Sequence, residues 1–440
     1  MENYNKTDLS GLKKVMIISF HALPMDVIAS QRTQAYLDYF SQNDVFPTLV
    51  THRWEKSGSS KEWAIHHESD KVKYEKFSGY DSYQLPFPGF DKKDRFSFLN
   101  TIVSWSRGIL EPHLKKSYSI YRKFLFEHLK TNDYDLVLAI FSPHFHLKLA
   151  YEIKVRFNIP YVLDFRDLWS NRIIHKDYSP SLSEWFQDKL TSYWWRKWLE
   201  KALFFSITSS PWLMAVQKNT NTSTPGIVVT NGFDQEVEKL ANSLYNRSKF
   251  TLIHSGSVYH HQNLNIFFKG VVEFIEEFDV RDIQILFIGA QRKEGNALNG
   301  FATIEDEYAN LLQAKGVLHI TPRITRQEIL KKMSEAFLLI FPSFPRAPGT
   351  YSGKFFEYLG LRKFILAFPN DHSVVNEVLI SDKNSIIADN EEEIKLALRE
   401  FYKKWEASES PALVSSHDFF SRKNQVQIIS KQIHLRLQNE

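Results

Sequence analysis

The sequence predicts an α/β protein made of two doubly wound domains. Three observations carry that expectation. At 440 residues the chain exceeds what a single hydrophobic core usually supports. Short β-branched and aliphatic runs alternate with longer helical patterns, the order that builds a parallel sheet with crossover helices. That alternation occurs in two separate series, one in each half of the chain.

In the first series the expected strands are 14–20, 47–51, 135–141, 160–164, 202–208 and 226–230. Their interiors are nearly continuous apolar residues, as a strand covered on both faces requires. The second series is 250–255, 283–289, 317–320, 336–341, 364–367 and 385–388. Helical patterns fall between the strands, for example over 30–41, 263–278, 325–335 and 390–405. Segment 54–93 has poor periodicity and frequent Gly, Ser and Pro, which predicts loop. A last helix is expected over 419–437, where Val426, Ile429, Ile433 and Leu437 recur at helical spacing. The expected domains are therefore 1–235 and 236–415, with 416–440 as a terminal helix returning to the first domain.

Composition narrows the function classes. The chain has no cysteine, which excludes disulfides, thiolate zinc sites and cysteine nucleophiles, and fits a reducing compartment. Residues 1–11 are polar and lack the apolar core of a signal peptide. No run approaches the ~20 apolar residues of a membrane span. The expectation is a cytoplasmic protein. A net charge of +4 does not make the concentrated basic footprint of a nucleic-acid binder. Aromatic content is high, with 35 Phe, 19 Tyr and 10 Trp.

Open parallel sheets bind ligands beyond the carboxyl ends of their strands, and two facing domains would put the site in the cleft between them. The distinctive residues follow strands accordingly. Ser30 is an expected N-cap, and Arg32 lies in the first turn of its helix, where it opposes the helix dipole and so needs a partner. That partner is either an anion on a ligand or an acid of the protein. The pair His144 and His146 has no third ligand at a suggestive spacing, so no metal site is expected there. His146 is the preferred sugar-contacting donor of the two. The strand ending at Asp164 continues Phe165-Arg166-Asp167-Leu168-Trp169. Asp164 or Asp167 is either a general base or acceptor contact, or one acid of an ion-paired scaffold around Arg166. Asn231-Gly232 follows the sixth strand, where it is either a tight turn alone or places Asn231, with Ser30, Arg32 and Arg166, on the acceptor side of the cleft.

In the second half, Ser255-Gly256-Ser257 offers amides for an anion, and Gly256 lets backbone approach a ligand closely. Arg323 precedes a helix capped by Thr325, in a turn whose backbone could read a nucleobase edge, and is a donor-binding candidate. The densest signal is Gly349-Thr350-Tyr351-Ser352-Gly353-Lys354-Phe355-Phe356-Glu357-Tyr358-Leu359-Gly360. A small-residue turn there enters a helix whose first amides suit a phosphate. Lys354 and Glu357 are three apart and share one face.

Together these segments resemble the retaining glycosyltransferases of family 4, which have the GT-B fold of two Rossmann-like domains facing a central cleft. The resemblance runs in order from Ser30 and Arg32, through Asp164–Trp169 and Asn231-Gly232-Phe233, to Ser255-Gly256 and Ser352–Tyr358. It implies that the carboxyl-terminal domain holds a nucleotide-sugar donor. Glu357 would bind the ribose, while Gly353 and Lys354 would receive the diphosphate. It also implies metal-independent transfer without a cofactor, to a glycan or lipid-linked hydroxyl acceptor, in cell-surface polysaccharide synthesis. Family members commonly carry a further acid eight residues before Glu357, where this chain has Gly349.

An aromatic segment with interspersed basic residues, Trp185-Phe186 and Tyr193-Trp194-Trp195-Arg196-Lys197-Trp198, has two readings. One is a helix packed in the core. The other is peripheral contact with the inner face of a membrane. Two other activities stay open: a nucleotide-sugar epimerase, and a non-catalytic nucleotide-binding relative. No Gly-x-Gly-x-x-Gly follows either first strand, which argues against a nicotinamide dehydrogenase.

Overall fold

The computed structural model describes residues 11–25, 27–54, 71–89, 97–174, 179–241, 243–259, 262–290, 304 and 306–439. The chain forms two compact units. One comprises Met1–Ile173, Ser179–Asn231 and Arg422–Glu440; the other is essentially Gly232–Ser421.

In the first unit, β1 (Lys13–Ile18), α1 (Ile28–Tyr39) and β2 (Val45–His52) open the chain. The hairpin β3 (Lys73–Lys76) and β4 (Asp81–Leu85) follows, then α2 (Ser97–Ser106) and α3 (Lys115–His128). Next come β5 (Leu136–Phe141), α4 (Phe145–Phe157) and β6 (Tyr161–Phe165). The series closes with α5 (Leu182–Leu199), β7 (Phe204–Ile207), α6 (Ser210–Thr220) and β8 (Gly226–Val228). The sheet order is β3-β4-β2-β1-β5-β6-β7-β8. Every pairing is parallel except the β3–β4 hairpin. This hairpin corrects part of the loop expected over 54–93, of which 55–70 and 90–93 lie outside the described residues. β3 is the edge strand and has no buried residue, and β4 beside it has only two, so the alternation that would reveal them is weak.

The second unit contains α7 (Gln235–Leu240), β9 (Phe250–Ser255), α8 (Leu264–Phe278), β10 (Ile283–Ile288) and α9 (Glu307–Ala314). It continues with β11 (Leu318–Thr321), α10 (Arg326–Glu335), β12 (Leu338–Pro342), α11 (Gly353–Leu361) and β13 (Phe364–Phe368). The last elements are α12 (Val374–Leu379), β14 (Ser385–Ile387) and α13 (Glu391–Glu406). Its sheet is wholly parallel, in the order β11-β10-β9-β12-β13-β14. Both sheets are covered on two faces, which is why β5, β12 and β13 are buried at every position.

The chain then re-enters the first unit as α14 (Arg422–Leu437). Val426, Ile429 and Ile433 join the core of Val15, Leu136 and Phe40, beside α1. The expected start at 419 is later in the structure, because 415–420 form a 3-10 turn first. Expected Ser30 capping is also corrected. Helix α1 starts two residues earlier with Val27 at the N-cap position, and the Ser30 hydroxyl is buried without a partner.

Close helix packing positions α11. A Cβ on Gly360 would lie 2.7 Å from Phe233 Cγ and 2.8 Å from Val237 Cγ1, both fully buried residues. Gly360→Ala is expected to destabilise by about 1–2 kcal/mol, the overpacking cost exceeding the helix-propensity gain. Urea denaturation reads this as a lower midpoint; an unchanged or higher midpoint would refute it.

Candidate functional site

The loop after β9 and the first turn of α11 meet in the second unit. The Ser255 N–H donates to Tyr358 Oη at 3.1 Å, tying the strand end to the helix. Gly256 has φ +88°, and a Cβ on Gly289 would lie 3.2 Å from Gly256 Cα, so two backbones touch here. Lys354 reaches over this loop. Its Nζ donates to Ser257 O at 3.1 Å and lies 3.3 Å from His254 Nε2. His254 Nδ1 is 3.1 Å from Ile340 O and donates to it, which leaves Nε2 as the bare acceptor for the lysine. Burial lowers the His254 pKa, and Lys354 lowers it further, so the ring stays neutral.

Burial also pulls the Lys354 ammonium down to about 7, with Glu357 opposing and Arg323 adding to the fall. An amine poised at that value gains a full charge when an anion arrives. Ser352 stands at the N-cap of α11 without making a cap hydrogen bond, and its hydroxyl is buried and unpartnered. The helix entry therefore combines an uncommitted hydroxyl, first-turn amides and a desolvated cation. That is a seat for a phosphate group.

Glu357, one turn on, is clamped by Arg326 at the start of α10. Arg326 also donates to Asp234 at 3.1 Å and lies 3.6 Å from Glu236. Arg323, a donor-binding candidate from the sequence, is exposed; Arg326, three residues later and not singled out by the sequence, is the cation that holds the Glu357 carboxylate. Gly349 has φ +81°, and its N–H donates to Ser373 Oγ at 3.0 Å. An acidic side chain at that position would be strained, which gives the glycine a backbone reason.

The first-unit candidates separate into two groups. Asp164 is fully buried, and four donors saturate it: Arg32 Nε at 2.8 Å, Arg32 Nη2 at 2.6 Å, Tyr36 Oη at 3.0 Å and Ser206 Oγ at 2.6 Å. Arg32 donates further to Thr230 O at 2.9 Å and Val229 O at 3.1 Å. Burial works against the Arg32 charge, but Asp164 outweighs it and the pKa rises. A carboxylate with every acceptor position used has no room for a substrate proton. Asp164 is therefore corrected from a proton-transfer candidate to a structural anchor, and Arg32 finds its partner in the protein. Asn231 contributes to the same cluster: its side chain accepts from Arg32 at 3.4 Å and its carbonyl from Arg422 at 3.4 Å.

His146 is likewise corrected. It is fully buried, its Nδ1 bonds Ile140 O at 2.8 Å, and burial lowers its pKa to about 3. It packs against Tyr121 in the core. Arg166 and Asp167, by contrast, pair with each other at 2.7 Å, and the Asp167 side chain is half exposed. Among the described residues no group of three or more His, Asp or Glu is placed to hold a metal ion. No described helix is long and apolar enough to cross a membrane.

The sequence matches no protein-family model and no curated protein. Solved structures match over nearly the whole chain. A trehalose-6-phosphate structure from E. coli bound with UDP-2-fluoro glucose has a TM-score of 0.59 at 11% identity, covering 96% of this chain and 97% of that one. A glycosyltransferase from Rickettsia africae ESF-5 has a TM-score of 0.58 at 12% identity, covering 98% and 100%. HepE from Anabaena in complex with UDP has a TM-score of 0.51 at 12% identity, covering 97% and 98%.

The chain has the GT-B fold. In the GT-B fold each unit is one Rossmann-like domain, and the Lys354 seat lies at the carboxyl ends of the second domain's strands, where such sheets bind ligands. His254 and Arg326 were missed from the sequence. His254 sits one residue before a strand end, so the same strand-end rule would have found it. Arg326 carried no local signal.

Proposed function

We propose that this protein is a retaining glycosyltransferase of the family 4 type, moving a sugar from a nucleotide-sugar donor to a hydroxyl acceptor. The observation that carries this reading is the desolvated Lys354 lying over the Ser255–Ser257 loop, beside the unpartnered Ser352 at the start of α11. Solved structures of the same fold that hold UDP or UDP-2-fluoro glucose support it.

The donor diphosphate sits on the first-turn amides of α11, with the Lys354 ammonium beside it. Glu357, oriented by Arg326, accepts the ribose hydroxyls. As the bond from the sugar's anomeric carbon to the diphosphate breaks, the acceptor oxygen bonds to that carbon on the same face. The acceptor proton passes to the departing phosphate. The protein's contribution is positioning and charge stabilisation of the leaving group. No resident cofactor is assigned.

On α5, Leu182, Trp185, Phe186 and Tyr193 are exposed and share one helical stripe, while Trp195 and Trp198 are buried opposite. Both sequence readings of this segment thus keep a face. The exposed stripe supports a lipid-linked acceptor at the inner membrane face, as in polysaccharide synthesis.

Calorimetry with nucleoside diphosphates tests the site. Binding at pH 8 is expected to take up a proton, because an anion raises the Lys354 pKa from about 7. Lys354→Ala should abolish that uptake and lower turnover about 10²- to 10³-fold, as loss of one leaving-group contact does. Glu357→Ala should mainly weaken donor binding. Unaltered proton uptake and kinetics in both variants would overturn the reading, and interconversion of free donor without transfer would point to an epimerase.

A further inference from the structure

A second polar cavity lies wholly within the first unit, apart from the Arg32–Asp164 cluster. It holds about 90 Å³ and is lined by Trp105, Glu111, His144, Trp169, Arg172 and Asp188, among others. One water needs roughly 10–15 Å³ of such space, so the cavity has room for a group larger than a single water.

Three of its groups have unused hydrogen-bonding capacity. His144 Nδ1 accepts from Trp195 Nε1–H at 2.9 Å. An indole N–H only donates, so Nδ1 is bare and the neutral ring carries its proton on Nε2. Burial lowers the His144 pKa to about 3, which keeps the ring neutral. Its Nε2–H has no acceptor among the described residues. Trp169 Nε1–H is buried and unpartnered. Glu111 Oε2 accepts the His144 backbone N–H at 2.8 Å, and Oε1 has no donor among the described residues.

The charge balance selects the ligand. Arg172 is matched by Asp188, at 2.9 and 3.1 Å, and by Glu184 at 3.6 Å. With Glu111 added, the wall holds no surplus positive charge, which disfavours phosphates and carboxylates. Two N–H donors and a guanidinium disfavour a cation. Trp105 spends its N–H on Leu110 O at 3.3 Å, leaving its ring as an apolar surface. Donors, a carboxyl group and indole faces together fit a neutral polyhydroxyl ring.

We propose that this cavity binds one neutral, unphosphorylated sugar residue through His144 Nε2–H, Trp169 Nε1–H and the Glu111 carboxyl. Its role as the acceptor end of the reaction rests on the transferase reading; its selectivity for a neutral sugar does not. The carboxyl accepts one hydroxyl and the two N–H groups donate to others. Sites built this way reject analogues that cannot complete the pattern.

The test is saturation-transfer NMR with the whole protein and a panel of methyl glycosides, with glucose 6-phosphate and inorganic phosphate as anionic arms. At least one methyl glycoside should bind more tightly than either anion. Glu111→Gln should weaken it about 10- to 100-fold, the size of a lost bond to a carboxylate. Gln187→Trp, at an exposed lining position, should do the same by obstructing the cavity without disturbing the core. Nucleoside diphosphate binding, measured on the same samples, should be unchanged in both variants. It reports on the Lys354 site alone, so the two readings fail separately. No glycoside bound at tens of millimolar, preference for an anion, or binding as tight as the unaltered protein's in both variants would overturn the proposal.

Discussion

Asp164→Ala loses about 3–5 kcal/mol of stability, the cost of leaving a buried guanidinium without its carboxylate. Both Asp164 and Arg32 are essentially inaccessible, and the pair is bidentate at 2.6 and 2.8 Å. Removing the acid strands two guanidinium nitrogens, the Tyr36 hydroxyl and the Ser206 hydroxyl in the same space. Water cannot replace the lost acceptor without opening the core between α1 and β6. Ser206→Ala removes one donor and leaves the ion pair intact, so its expected cost is only about 1 kcal/mol. Urea denaturation followed by tryptophan fluorescence gives both values. The alternative role, proton transfer, predicts the reverse: full stability with lost turnover.

The second large effect is acid instability of the first unit. Burial lowers His21 to about 4 and His52, His144 and His146 to about 3. Arg166 lowers His21 further, while Asp167 and Ser142 oppose. In the unfolded chain each titrates near 6.5. Between those values the unfolded state binds more protons, so stability falls as pH falls. Each histidine contributes about 1.4 kcal/mol per pH unit. Glu111 acts in the opposite sense. Burial raises it to about 7, so the folded state takes up its proton first and gains stability between pH 7 and about 4.5. The balance is a loss of about 4 kcal/mol per pH unit below pH 6, against a total domain stability of about 5–15 kcal/mol. Unfolding is expected between about pH 4 and 5. His52 packs edge-on against Phe20, Trp54 and Tyr121, so a phenyl ring fits its place. His52→Phe should reduce the pH slope by one histidine's share. A flat stability profile from pH 6 to 4.5, or an unchanged slope in His52→Phe, would sink this account.

The legible and illegible parts of the site differ in range. Ser352, Gly353, Lys354 and Glu357 lie within six residues, and their capping and face-sharing follow from helix geometry. Ser255 and Gly256 were found by the strand-end rule. Lys354 proves to lie on that loop, 97 residues away in sequence from its acceptor Ser257 O. His144 and His146 show the limit. Both follow β5, and the sequence treats them almost alike. The turn into α4 sends His146 into the core and lets His144 line a cavity with Glu111, 33 residues upstream.

The alternating series of apolar runs determined two parallel sheets, because consecutive buried residues can be satisfied only by strands covered on both faces. The same local chemistry determined the phosphate-facing start of α11. Tertiary structure alone decided the ionic partners. Arg32 meets Asp164 across 132 positions, and Glu357 takes Arg326 across 31. A carboxylate is claimed by whichever cation the packed elements bring within hydrogen-bonding distance. That depends on how helices settle on the sheet, and no spacing along the chain encodes it.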